Sequence, residues 1–331
     1  MTLDRRLSVA PMMDCTDRHD RYLLRLITRH TLLYTEMVTA NALIHGDPAR
    51  LLAFDAFERP LALQVGGCEP ERMAASARMA EDFGFDEINM NVGCPSERVR
   101  SGAFGACLMA EPDTVGDCVR AMKASVSIPV TVKSRIGVDD LDDYAHLHRF
   151  TATVAAAGAD ALIVHARKAW LKGLSPKQNR EIPPLDYARV RRLKRDWPDL
   201  PIVLNGGIDS LAAVAAELEV VDGCMLGRAP YARPWLLADA DARLFGVENP
   251  FASPHAVVRA YLPYVRACLA AGVPLNHLTR HMSGLFAGYP GARAWRRTLA
   301  EGAAAGGGVA VVEEALRCVP DMGDSGLRAV G

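Results

Sequence analysis

Eight short apolar runs recur along the first two thirds of the chain, and this rhythm limits the fold more than any other feature. They are Ser8–Met13, Leu32–Val38, Leu61–Gly66, Glu87–Gly93, Val130–Arg135, Ala161–Ala166, Ile202–Gly207 and Gly223–Arg228. Several are almost continuously apolar, as strands buried on both faces should be. Amphipathic stretches such as Glu71–Phe83, Asp143–Ala157 and Ser210–Leu218 separate most of them. The second crossover, between Val38 and Leu61, is less clear. Eight strands alternating with crossovers predict an α/β fold, a (β/α)8 TIM barrel. A doubly wound sheet is the competitor, but no G-x-G-x-x-G follows the first strand.

The rhythm stops near Gly246–Pro254, where Asn249-Pro250 and Ser253-Pro254 read as a connection followed by a helix start. Beyond it only helical patterns occur, at about His255–Ala271, Leu275–Phe286, Ala292–Glu301 and Val309–Cys318. The expected organisation is a barrel over residues 1–245, a linker over 246–254, and a small C-terminal all-helical domain over 255–331 with a disordered tail.

Net charge is −1, so overall balance neither favours nor excludes nucleic acid, and a polyanion partner has to be argued from local charge. The eight cysteines form no C-x-x-C pair and suggest neither a disulfide framework nor a metal site. No signal region and no long apolar span is visible, which implies a cytoplasmic protein without a membrane partner.

In such barrels the strand ends and following loops build the active site. The first strand ends in Pro11, Met12 and Met13. The third delivers Gln64, the fourth Asn91 and Cys94, the fifth Lys133 and Arg135, and the sixth His165 and Arg167. The last two end in Asn205-Gly206-Gly207 and Gly227-Arg228, glycine-bearing ends suited to a phosphate; a plain strand-to-helix turn explains the glycines equally. Lys133, inside an apolar strand, needs a partner: an anionic reduced flavin, or a barrel carboxylate such as Glu87. Gln64 offers a donor and an acceptor to a flavin pyrimidine edge. Together these residues suit FMN. Cys94, beside Pro95 in a predicted active-site loop, carries a thiol suited to general-acid work. Cys107 reads as core.

Local charge is uneven. From Arg167 to Arg195 there are ten Lys/Arg and two acids, and from Asn276 to Ala300 four arginines and no acid. Such clustering is the footprint of a polyanion. Trp170, Tyr289 and Trp295 are interleaved and suited to stacking on bases. Arg191–Arg195 reads equally as a solvated helix face.

Over about residues 7–300 the chain resembles the tRNA-dihydrouridine synthases, in their A subfamily. The resemblance rests on APMMDCTDRHDR (10–21), NMNVGCPSERVRSGAFGACLM (89–109), KAWLKGLSPKQNREIPPLDY (168–187) and VLNGGI (203–208). It implies FMN as cofactor, NADPH as reductant, and uridines 20 and 20a of the tRNA D-loop as substrates. It implies FMN contacts at Pro11, Met12, Met13, Gln64, Lys133, His165, Asn205, Gly206, Gly207, Gly227 and Arg228. Cys94 would be the proton donor and Asn91 a contact to the target nucleotide. Lys177, Arg180, Arg293 and Arg296 would orient the tRNA. No DNA and no obligate protein partner is expected. The sequence departs from the family pattern at Cys15, where Trp is usual, and at Asp20, where a second cysteine is common; altered packing near the flavin is the expected result. The alternatives are a small-molecule FMN oxidoreductase resembling dihydroorotate dehydrogenase and a non-catalytic tRNA-binding chaperone.

Overall fold

Residue alternation along the strands decides what fills the centre of this protein. The computed structural model describes residues 3–96 and 102–321. Its strands are β1 (Leu7–Val9), β2 (Leu33–Tyr34), β3 (Val38–Thr39), β4 (Leu61–Gly66), β5 (Glu87–Val92), β6 (Val130–Arg135), β7 (Ala161–His165), β8 (Ile202–Asn205) and β9 (Gly223–Leu226). All pairings are parallel, in the order β1-β9-β8-β7-β6-β5-β4-β2. Both β2 and β3 pair with β4, so they are two pieces of one stave. A parallel bridge between Ser8 and Leu32 closes the ring, with Val9 N–H donating to Leu32 O at 3.0 Å. The eight expected strands are all present as a (β/α)8 barrel.

Ala10, Leu32, Tyr34, Ala62, Ile163, Val203 and Met225 pack together inside the barrel. Strand β5 inverts the usual choice. Ile88, Met90 and Val92 alternate with Glu87, Asn89 and Asn91, and every one of them is buried. Since Tyr34 in the inner cluster donates its hydroxyl to Glu87 at 2.6 Å, the polar set is the one facing inward. The unclear second crossover consists of two short helices, Ala40–His45 and Pro48–Leu51, and a single 3₁₀ turn, Ala56–Glu58. Elements that short carry no helical periodicity to detect.

The chain divides into two compact units. The first holds all nine strands and runs over Met1–Asp14, Leu32–Ile208 and Ala212–Gly227; the second takes Cys15–Thr31, Asp209–Leu211 and everything from Arg228. The expected boundary at residue 245 therefore moves back to Gly227. The reason is packing: helix Arg18–Ile27 lies against helices Pro254–Ala270 and Leu275–Met282. Asp241 also caps the end of that segment, accepting from Thr28 Oγ1 at 2.6 Å and from Arg29 N–H at 2.7 Å.

The C-terminal helices, with Ala292–Ala304 and Val309–Arg317, stand close to their expected places. The tail from residue 322 lies outside the described residues. No helix among the described residues is long and apolar enough to cross a membrane.

Asp20 belongs to the second unit. It is buried on helix Arg18–Ile27, with Oδ1 3.7 Å from His281 Nδ1, while His281 Nε2 lies 3.0 Å from Asp17 Oδ1. Burial works against ionisation of Asp17, yet its bond to His281 and the adjacent Arg280 hold the carboxyl far below its ordinary range.

Candidate active site

At the C-terminal ends of the strands, parallel register places the expected polar residues side by side. Gln64 is paired with Asn89, Asn91 with Lys133, Arg135 with His165, and His165 with Asn205. Lys133, half-buried, donates from Nζ to Asn205 Oδ1 at 3.0 Å, and Asn205 Nδ2 donates to Met225 O at 2.7 Å. Glu87 is not the partner of Lys133, since it is bound to Arg5 at 2.7 Å at the opposite end of the barrel. Burial, reinforced by the Arg135 charge, pushes Lys133 down to about 7. A lysine in this state gains from an anionic neighbour.

Burial, with the charges of Arg135 and Lys133, holds His165 well below its usual value and so favours the neutral ring. It lies against Gly206: a Cβ there would stand 2.6 Å from His165 Cδ2. Gly206 and Gly207 both have positive φ, +114° and +73°, and at Gly207 a Cβ would stand 2.6 Å from Leu185. These two glycines thus satisfy a turn and permit close approach as well. Gly227 differs, since a Cβ there would meet nothing within 4 Å. Protein packing gives no reason for glycine at that position, whereas a ligand approaching the backbone would.

Pro11 and Met12 are half-buried, and Met12 packs on the inner barrel cluster. Met13 is 56% exposed. Cys94 is half-buried, and its Sγ lies 3.6 Å from Ser96 Oγ. The Cys94 N–H donates to Asn91 Oδ1 at 3.0 Å, and Cys94 O accepts from Ala106 N–H at 2.9 Å. The loop bearing the thiol is therefore fastened on both sides. Cys107, expected in the core, is half-buried and donates to Phe104 O at 3.1 Å.

Two residues hold the site together: Arg135, which the sequence places at a strand end without assigning it a role, and Asn179, which it does not single out. Arg135, almost fully buried, donates to Gly93 O at 2.9 Å, to Lys168 O at 3.1 Å and to Asn179 O at 3.0 Å. It ties the Cys94 loop to the basic loop after β7. Burial lowers it to about 10, a value at which it is still charged near neutral pH. Asn179, also buried, accepts from Trp170 N–H at 2.8 Å and donates to Trp170 O at 2.9 Å. It stitches the loop so that its neighbours Lys177 and Arg180 are exposed. Trp170 is half-buried under Lys168, 3.9 Å from Nζ to the ring centroid.

In the second unit, Arg293, Arg296 and Arg297 are exposed on helix Ala292–Ala304. Trp295 is not available for stacking on a base. It is fully buried, donates from Nε1 to Met282 O at 3.0 Å and meets Phe286 edge-on. One helix face carries the core and the opposite one the arginines. Arg228 follows Gly227 and opens the short helix Arg228–Ala232 of the second unit.

The dihydrouridine synthase (Dus) family profile matches residues 8–319. The chain belongs to the dihydrouridine synthase family. It is 54% identical over 322 residues to the tRNA-dihydrouridine(20/20a) synthase of Vibrio cholerae, covering 97% of this chain and 98% of that one. It is 56% identical over 318 residues to those of Salmonella typhimurium and Escherichia coli K12, covering 96% of this chain and 96% and 92% of theirs. Among solved structures it is similar to 2-naphthoyl-CoA reductase with 2-naphthoyl-CoA (TM-score 0.55, 12% identity, 71% of this chain and 49% of that one). It is also similar to TcOYE with pHBA (TM-score 0.52, 12% identity, 71% and 88%). At that identity the two structures speak for the barrel fold alone. Family membership implies a flavin-dependent reductase.

Proposed function

We propose that this member of the family reduces uridine to 5,6-dihydrouridine at positions 20 and 20a of the tRNA D-loop in the cytoplasm, with FMN as cofactor and NADPH as reductant. The observation that carries the reading is the set of strand-end residues: Lys133 bound to Asn205, Gln64 bound to Asn91, and Cys94 in a loop fastened by Asn91. The residues fit FMN. Gly206 and Gly207 leave no room for a side chain, and Gly227 leaves space that packing does not use. These three, with Arg228 by its place in sequence, would hold the phosphate. Pro11, Met12 and Met13 would line the ring, and Gln64, Lys133, His165 and Asn205 would meet its polar edge. When bound and reduced, FMN supplies the hydride equivalent that a uracil 5,6 double bond requires.

The protein's own part is orientation and proton supply. Asn91 Oδ1 accepts from the N–H groups of Gly93 and Cys94, and Nδ2 donates once to Gln64 Oε1. Among the described residues the other N–H of this amide has no acceptor, and it fits a base carbonyl. The target base has to leave its stack to reach this site, and a loop base does so at lower cost than a paired one. Cys94 would supply the proton from Sγ to the base carbon. Lys177 and Arg180 beside the barrel mouth, with Arg293 and Arg296 on the second unit, contact the tRNA backbone.

The test is mass-spectrometric mapping of dihydrouridine in tRNA from cells that lack this gene. Loss at positions 20 and 20a, restored by the wild-type gene, is expected. Unchanged modification at both positions overturns the assignment. Turnover of a free pyrimidine without tRNA would instead support a small-molecule reductase.

A further inference from the structure

The inward-facing polar residues of the barrel form one connected series from its closed end to its open end. Arg5 donates to Glu87 Oε2 from Nε and Nη2 at 2.9 and 2.7 Å. Thr131 Oγ1 donates to Glu87 Oε1 at 2.6 Å. Asn89 Nδ2 donates to Thr131 Oγ1 at 2.9 Å, Gln64 Nε2 to Asn89 Oδ1 at 2.8 Å, and Asn91 Nδ2 to Gln64 Oε1 at 2.8 Å. The N–H of Cys94 closes the series on Asn91 Oδ1 at 3.0 Å.

Every donor points towards Glu87, and chemistry enforces this direction. A carboxylate paired with arginine only accepts, so Thr131 must donate to it and receive from Asn89. Asn89 then turns its oxygen to Gln64, and Gln64 turns its oxygen to Asn91. Glu87, Asn89 and Thr131 are fully buried, where a mismatched donor or acceptor is costly. We propose that Glu87 is a positioning residue: through Thr131 and Asn89 it fixes which end of the Gln64 amide faces Asn91, and so which atoms the site presents to cofactor and base. The functional consequence rests on the FMN reading above; the relay itself does not.

The decisive pair is Thr131→Val, which removes the link while leaving Arg5 and Tyr34 on Glu87, and Thr131→Ser, which restores it. With asparagine and glutamine side chains labelled with ¹⁵N in the flavin-free protein, Thr131→Val should shift the Asn89, Gln64 and Asn91 amide signals. Thr131→Ser should return all three. A change confined to Asn89 overturns the proposal. In the FMN-loaded protein, Thr131→Val should weaken FMN binding about tenfold, as loss of one buried hydrogen bond would, and shift the flavin midpoint potential. Tyr34→Phe removes a hydrogen bond to the same carboxylate without interrupting the relay, and should leave the potential unchanged. Equal effects of Tyr34→Phe and Thr131→Val would reduce Glu87 to a packing role. If Thr131→Val does not fold, Thr131→Ala removes the same hydroxyl and gives the same reading. Failure of the wild-type protein to bind FMN would sink the cofactor reading and leave the labelled-amide result to decide the relay.

Discussion

Lys133 and Asn205, on strands that are not neighbours, meet across the barrel mouth with Nζ 3.0 Å from Oδ1. An amide oxygen satisfies the amine without neutralising a charge, so burial and Arg135 lower Lys133 from 10.5 to about 7. The folded state then binds fewer protons than the unfolded chain between those values. Stability of the flavin-free protein should rise with pH across that window and lose this contribution as pH falls towards 7. Urea unfolding at several pH values checks it. Lys133→Met should flatten the rise, and an equal slope in both proteins would show that Lys133 titrates normally.

Two glycines at the mouth should separate stability from cofactor binding. Gly206→Ala puts a Cβ against His165 at a backbone φ of +114°. Strain of this kind costs of order 1–3 kcal/mol, so the melting temperature should fall. Gly227→Ala meets nothing in the protein. It should melt like wild type yet bind FMN at least about tenfold more weakly, one lost charge-assisted hydrogen bond being worth roughly 1.5–3 kcal/mol. Full FMN affinity in Gly227→Ala would move the phosphate away from that strand end.

Cys94→Ala should retain FMN and tRNA affinity and lose about 10²–10⁴ in the rate of base reduction, the range that general-acid catalysis supplies. Single-turnover reduction of unmodified tRNA by the reduced enzyme measures it. Flavin reduction by NADPH should be unaffected, because the thiol serves the base. A Cys94→Ala enzyme that reduces tRNA at the wild-type rate would require another proton donor.

Much of this was legible because strands buried on both faces write their length directly into an apolar run. The ends of those runs also name Gln64, Asn91, Cys94 and Lys133 as neighbours. What could not be read has physical causes. Helix Arg18–Ile27 is amphipathic, but amphipathicity does not say which partner its buried face meets, and here that partner is the C-terminal helices. Trp295, set among arginines, looks like an interface aromatic, yet helical spacing turns it inward and Arg293 and Arg296 outward. Arg135 acts through backbone carbonyls of distant loops, which leave no mark on residue identity. A signal for the polar relay was present: Glu87, Asn89 and Asn91 alternate with apolar residues on a barrel strand whose outer face must be covered by helices.

The exposed arginines give the test of where the RNA lies. Arg293 and Arg296 are three residues apart on one helix and exposed, and among the described residues neither has an ion pair. Each neutralised phosphate contributes about 0.7–0.9 to the slope of log affinity against log salt. Replacing both by glutamate should therefore weaken tRNA binding and lower the slope by roughly 1.4–1.8 if each makes one contact. Melting temperature should hold, since Trp295 and Leu299 on the buried face of the same helix are untouched. Binding titrations at four or five salt concentrations decide it. A slope equal to wild type would mean that RNA does not touch this helix, and would leave Lys177 and Arg180 on the barrel as the electrostatic contacts.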